Sequence, residues 1–207
     1  MRFLMLPPMV LLLAVLAAPA AESEKGFVPL FDGKTLSGWD GDPRLWSVED
    51  GTIVGTTDNK RLTHNSFLAT KKKYKNFVLT LKFKLRNHNS GVQFRSTQKP
   101  DHVVQGYQAD IAEQRYTGIL YEEGGRGILK DVDPAKVAQF TNRDGWNTYV
   151  ITADGPHITQ VLNGHMTVDY RETDAQHGAT EGIIALQLHA GPSMKVWFKD
   201  LMIKELP

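Results

Sequence analysis

The chain has 207 residues, with 24 Lys and Arg against 23 Asp and Glu, and a formal net charge of +1. That near balance argues against a nucleic-acid surface, which needs clustered positive charge. The lack of cysteine excludes disulfides, thiol catalysis and a lipidated cysteine. The length suits one domain, with enough aromatic and β-branched residues for one core.

In chain order, Met1-Arg2 is a short basic start, and Phe3 to Ala18 is apolar around Pro7 and Pro8. Ala18-Pro19-Ala20 supplies the small residues a signal peptidase prefers, so residues 1–20 read as a secretory leader cut after Ala20. The interrupted run is short for a membrane span of roughly 20 residues. The expected product is a periplasmic or secreted domain over residues 26–207, with no membrane association after cleavage. Trp46-Ser47-Val48 and Thr52-Ile53-Val54 flank Glu49-Asp50-Gly51, the pattern of a tight hairpin. Lys71-Lys72-Lys73, the only basic run, reads as a solvated loop ahead of a strand. Phe77, Leu79, Leu81, Phe83 and Leu85 alternate with Val78, Thr80, Lys82 and Lys84, which predicts a half-buried strand.

Further on, Asp133-Pro134-Ala135-Lys136-Val137 carries the one helical signal, an N-cap followed by proline. Asn147 to Thr152 reads as a strand. Ile158 to Leu162 and Met166 to Tyr170 meet across Asn163-Gly164, the preferred composition of a type I′ turn. Lys195 to Glu205 predicts a closing strand with Val196 and Phe198 on one face. Many short strands with almost no helix predict an all-β domain of two packed antiparallel sheets or a closed barrel.

Three of the strand-like segments are unusual. In Asn89 to Arg95, Gly106 to Ile111 and Ile183 to His189, one alternating set is apolar: Val92, Phe94; Tyr107, Ala109, Ile111; Ile184, Leu186, Leu188. The other set reads Asn89, Gln93, Arg95; Gln108, Asp110; Gln187, His189. On one sheet these carry a carboxylate, a guanidinium, an imidazole and several amides, able to bind a polyhydroxylated ligand and move a proton on it. Gly91 and Gly191 flank the set and suggest a bulge or a close approach. Residues 118–129 read as a glycine-hinged loop holding Tyr121, Glu122, Glu123 and Arg126. It has no phosphate-loop order. The set can also be tested against the Glu-x-Asp-x-x-Glu strand of family 16 glycoside hydrolases. Gln108 stands at the nucleophile position, followed by Asp110 and Glu113, and a carboxamide cannot form the glycosyl ester of retaining hydrolysis.

Several motifs together resemble the DUF1080, or 3-keto-disaccharide hydrolase, domain family. They are Phe27 to Trp39 (FVPLFDGKTLSGW), Trp46 to Ile53, Asn89 to Arg95, Leu162-Asn163-Gly164, Ile184 to Gly191 and Val196 to Leu206. The resemblance spans essentially the whole mature chain. It implies a concanavalin A-like β-jelly-roll sandwich of two antiparallel sheets in a single domain, distantly similar to family 16 glycoside hydrolases, with a carbohydrate site on the concave sheet. It also implies action on glycosides oxidised to a ketone at C3, and hence an upstream enzyme that oxidises the sugar. Many members carry Tyr-Glu-Val-Gln where this chain has Tyr107-Gln108-Ala109-Asp110, so a carboxylate has moved two positions along one strand face.

On that reading His189 or Asp110 serves as base, Arg95 stabilises the enolate, and Glu122 assists the leaving group. Asn89, Gln93, Gln108, Gln187, Tyr121 and Arg126 bind the sugar. Asp110, Glu122 and His189 are the candidate ligands if a divalent metal ion takes part. The competing readings are a non-catalytic carbohydrate-binding module and an exported structural domain with solvated polar strands.

Overall fold

The computed structural model describes residues 25–207, and the leader expected over residues 1–20 lies outside the described residues. Fifteen strands follow in chain order. They are β1 Val28–Pro29, β2 Trp39–Asp40, β3 Trp46–Glu49, β4 Thr52–Thr56, β5 Ser66–Tyr74, β6 Phe77–Arg86, β7 Asn89–Gln98, β8 Val104–Ala112, β9 Leu120–Glu123, β10 Gly127–Lys130, β11 Asn147–Asp154, β12 His157–Leu162, β13 His165–Arg171, β14 Gly182–Leu188 and β15 Lys195–Glu205. An eight-stranded sheet runs β13-β12-β11-β6-β15-β4-β3 with β1 added on β15, and a seven-stranded sheet runs β10-β9-β8-β7-β14-β5-β2. Every pairing among the described strands is antiparallel. This is the jelly-roll sandwich.

Period-two patterning builds the core between the sheets. β6 buries Phe77, Leu79, Leu81 and Phe83 and leaves Val78, Thr80, Lys82 and Lys84 half exposed. Opposite them stand Val92 and Phe94 of β7, Tyr107, Ala109 and Ile111 of β8, and Ile184, Leu186 and Leu188 of β14, all fully or almost fully buried. Each of the larger aliphatic or aromatic side chains among them stabilises the fold by roughly 1.5–3 kcal/mol.

Local signals are realised where expected. Asp50-Gly51 and Asn163-Gly164 close two-residue turns with φ of 48 and 71° and of 49 and 82°. Asp133 caps the short helix α1, Pro134–Val137, by accepting from the Ala135 amide. The Lys71–Lys73 run is a departure from expectation. It lies within β5, exposed, because the strand continues past its buried stretch as far as Tyr74.

Gln160 is fully buried on β12, between Ile151 of β11 and Val168 of β13, and neither its Nε2 nor its Oε1 has a protein partner. Removing an unsatisfied buried amide recovers about 1–3 kcal/mol. Gln160→Leu is therefore expected to raise unfolding stability in urea by that amount, whereas a loss on substitution would mean that a buried water satisfies the amide.

Candidate active site

Strands β8, β7 and β14 are neighbours in the seven-stranded sheet, and their register brings the polar sets together on its outer face. Gly91 pairs with Asp110, Gln93 with Gln108, and Ala185 with Gln93. Gly91 is required here by a close approach, although to a side chain: a Cβ at that position would come within 2.5 Å of Gln108 Cδ. The space the glycine leaves is where the Gln108 amide lies.

From that amide a continuous hydrogen-bond network spreads. Gln108 Nε2 donates to Asp110 Oδ2 at 3.3 Å and to Gln187 Oε1 at 3.4 Å, and Gln108 Oε1 accepts from Gln93 Nε2 at 2.9 Å. Asn89 Nδ2 donates to the other Asp110 oxygen at 3.0 Å. Gln187 Nε2 donates to Glu123 Oε2 at 3.4 Å, and Asn65 Nδ2 to Glu123 Oε1 at 3.0 Å. Gln93, Gln108, Asp110 and Gln187 form a buried floor, while Asn65, Asn89, Tyr121, Glu123 and His189 are half exposed around it.

Two carboxylates are thereby held out of their ordinary range. Burial pushes Asp110 up to about 7, with Asn89 and Gln108 pulling against it and the Glu123 charge adding to the rise. Burial also raises Glu123, opposed by Asn65, by the His189 charge and by Gln187. Asp110 is thereby suited to exchanging a proton near neutrality, with a second raised acid joined to it through amides.

His189 follows the end of β14. Its Nδ1 lies 2.6 Å from the Ala190 carbonyl, and His88 Nε2 lies 3.0 Å from the same oxygen. A carbonyl only accepts, so both nitrogens carry hydrogen, and in the neutral rings the lone pairs fall on His189 Nε2 and His88 Nδ1. The two rings meet edge to face at 4.6 Å. Asn65 accepts from the Ala190 amide at 2.9 Å, so one side chain orients both the imidazole segment and Glu123.

Arg95 leaves this face, contrary to the sequence expectation. It sits at a β-bulge with φ of 47°, and that left-handed residue breaks the alternation of β7. Its guanidinium donates to Lys75 O at 2.7 Å, Gly155 O at 2.6 Å and Asn76 Oδ1 at 3.0 Å. It thus fastens the seven-stranded sheet to the β5–β6 and β11–β12 turns. Ser96 takes the vacated place on the polar face, its Oγ donating to Gln93 Oε1 at 2.6 Å.

Glu122 and Arg126 are also corrected. The stretch read as a loop contains β9, paired so that Tyr121 lies opposite Gln108 and Glu122 opposite the core residue Tyr107. Tyr121 therefore joins the polar face and Glu122 faces the other way. Arg126 Nε meets Glu122 Oε2 at 2.6 Å, and its Nη2 meets Glu172 Oε2 at 2.7 Å. Tyr107 OH donates to the same Glu172 oxygen at 2.7 Å, and Arg126 foremost holds Glu172 down at about 2. Glu123 has no place among the residues the sequence singles out for catalysis. Its shared parity with Tyr121 identifies it once residues 120–123 are read as a strand.

With Glu122 on the opposite face, Asp110, Glu122 and His189 do not assemble as metal ligands. Among the described residues no three His, Cys, Asp or Glu side chains form such a group.

The β7–β8 hairpin bounds the site on one side. Its tip reaches across the sheet to β2, where Gln98 Nε2 donates to Asp40 Oδ2 at 2.6 Å, and Phe67, Ala69, Val104, Ile183 and Ala185 form a buried apolar patch.

Fold and site together define a jelly-roll sandwich with a carboxylate and amide cluster on one sheet. Known structures share the architecture. A Parabacteroides distasonis protein provisionally described as a glycosyl hydrolase aligns at 22% identity and TM-score 0.69, covering 91% of this chain and 98% of its own. The carbohydrate-binding module CBM66 of Bacillus subtilis aligns at 14% identity and TM-score 0.61, covering 81% and 96%. The Bacillus licheniformis β-glucanase aligns at 11% and 0.56, covering 87% and 97%. At these identities the likeness establishes the fold. No curated protein matches the chain. The model of the 3-keto-alpha-glucoside-1,2-lyase-like domain matches residues 26–204, and the chain belongs to that family.

Proposed function

We propose that the domain is a carbohydrate-active enzyme that cleaves 3-keto-glycosides by elimination followed by addition of water. The observation that carries this reading is Asp110, a buried carboxylate raised to about 7 and set among neutral amides beside a second raised carboxylate, Glu123. A retaining glycosidase needs an ionised nucleophile where this chain has Gln108. A C3 ketone removes that need, because it acidifies the hydrogen on C2.

Asp110 takes the C2 proton, and the C–H electron pair forms the C2–C3 double bond as the C3 oxygen becomes an enolate. The second N–H groups of Gln93 and Gln187, beyond those donated to Gln108 and Glu123, stabilise that oxygen without carrying charge. The enolate collapses, C1–O breaks, and protonated Glu123 gives its proton to the departing oxygen. Water then adds to C1 as it gives a proton to His189 Nε2, protonated Asp110 returns its proton to C2, and the proton on His189 restores Glu123. Asn89 and Tyr121 bind sugar hydroxyls at the rim. In this reading the leader expected over residues 1–20 delivers the domain to the periplasm or beyond, and an oxidase or dehydrogenase acting on the C3 hydroxyl supplies the substrate. A non-catalytic carbohydrate-binding module is the alternative, with the amide floor binding hydroxyls only.

A C2-deuterated 3-keto-glucoside is expected to be cleaved several-fold more slowly than the protium form, and an isotope effect of unity with no C2 exchange in D2O would oppose the mechanism. Glu123→Gln is expected to lower turnover by about 10²-fold or more. Glu122→Gln, which touches only the Arg126 cluster, is expected to cost stability and leave turnover near wild type. The reverse pattern would return the acid role to Glu122.

A further inference from the structure

The eight-stranded sheet carries a second chemical surface on its outer face, across the sandwich from Asp110. Lys195, Trp197 and Lys199 alternate outward along β15 and lie directly opposite Arg86, Lys84 and Lys82 of β6. Trp146 precedes Asn147, the partner of Phe83, and so falls in the row of Lys84 and Trp197. The side chains interleave. Lys195 Nζ lies 5.1 Å from the Trp197 ring, Lys84 Nζ lies 4.4 Å from Trp197 and 5.6 Å from Trp146, and Lys199 Nζ lies 4.1 Å from Trp146.

Like charges directly opposite on neighbouring strands are destabilising, and here there are two such pairs, Lys195 with Arg86 and Lys199 with Lys82. Glu49, Asp58 and Asp200 pair with Lys195, Arg86 and Lys82. Among the described residues, Lys84 and Lys199 make no ion pair. The indoles hold these ammonium groups apart by cation–π contact. A cleft of about 690 Å³ borders this face at Lys84, Arg86 and Trp197 and continues to Arg143, with Glu113 and Asp144 also in its lining.

We propose that this face is a binding site for an acidic polysaccharide, a linear chain bearing uronate carboxylates. On β6 the cations Lys82, Lys84 and Arg86 recur every second residue, roughly 7 Å apart, and Lys195 and Lys199 flank Trp197 on β15, which suits carboxylates repeated along a chain. The indole edges and lysine stems between them offer apolar contact to sugar C–H groups. Lysines already lie over the indole rings, so the surface presents no free aromatic platform for nucleobase stacking of the kind single-stranded nucleic acids use. The carboxylates would relieve the like-charge rows. The site is independent of the keto-sugar pocket.

Polygalacturonate is the probe, with amylose and a single-stranded oligonucleotide as comparisons, in titrations of the whole protein. Polygalacturonate is expected to bind and to weaken about tenfold between 50 and 200 mM salt. Lys84→Glu with Lys199→Glu is expected to raise its Kd about thirtyfold. Trp146→Leu, which keeps every cation, is expected to raise it less. Asp110→Asn is expected to leave it unchanged, which separates this site from the pocket. Equal binding of amylose or the oligonucleotide, no binding of polygalacturonate at 50 mM salt, or an unchanged Kd in a folded charge-reversal variant would each overturn the proposal.

Discussion

Asp110→Asn is expected to lower cleavage of a 3-keto-glucoside by about 10²–10⁴-fold, the range for losing a positioned general base. The substitution is nearly isosteric, so thermal unfolding should show a folded protein whose defect is chemical. The pH profile carries the same information. On the proposed mechanism Asp110 acts in its ionised form, and burial has moved its ionisation to about 7, so wild-type kcat/KM should rise with pH up to about 7. Glu123 works protonated on that mechanism, and burial raises its pKa, so activity should fall again once that group ionises. Turnover retained in Asp110→Asn would take the C2 proton away from this carboxylate and leave His189 as the base.

The second large effect is on stability. Asp110 ionises near 7 when folded, against an ordinary value of 3.8. Between those values the folded protein therefore holds a proton that the unfolded chain has lost, and stability falls as pH rises through the window. The difference amounts to up to about 4 kcal/mol at pH 8 relative to pH 4. Glu123 is shifted in the same direction and adds to the fall. Glu172 works oppositely: held at about 2 against an ordinary value of 4.5, it contributes stability above about 4.5 that is lost as pH drops toward 2. Urea unfolding across pH should thus show greatest stability in mildly acidic solution. In Asp110→Asn the decline between pH 4 and pH 8 should shrink by up to about 4 kcal/mol. An identical decline in the two proteins would mean that Asp110 ionises near its ordinary value.

The contrast between legible and illegible residues has a physical basis. Alternation is an average over a strand, so the buried faces of β6, β7, β8 and β14 can be read directly, along with Asn163-Gly164 and the Asp133 cap. The polar floor of Gln93, Gln108, Asp110 and Gln187, with Asn89 at its edge, comes from the same parity. Arg95 escapes because one left-handed residue at a bulge reverses the parity of the strand beyond it, and its sequence looks like any strand residue. Glu122 is hard to tell from Glu123 because β9 is four residues long among glycines, too short for a period to register. Asn65 and His88 lie next to strand ends, far in sequence from Glu123 and Ala190, and only the packed sheet brings them together.

The central claim is that the C3 ketone makes this polar cluster an active site. The direct measurement is aglycone release from one chromogenic glucoside presented in two forms, with C3 as a ketone and with C3 as the ordinary alcohol. Release from the keto form, lost in Asp110→Asn, with none from the alcohol, is the predicted result. Equal release from both forms, or binding of the keto form without release for either anomer, would contradict it.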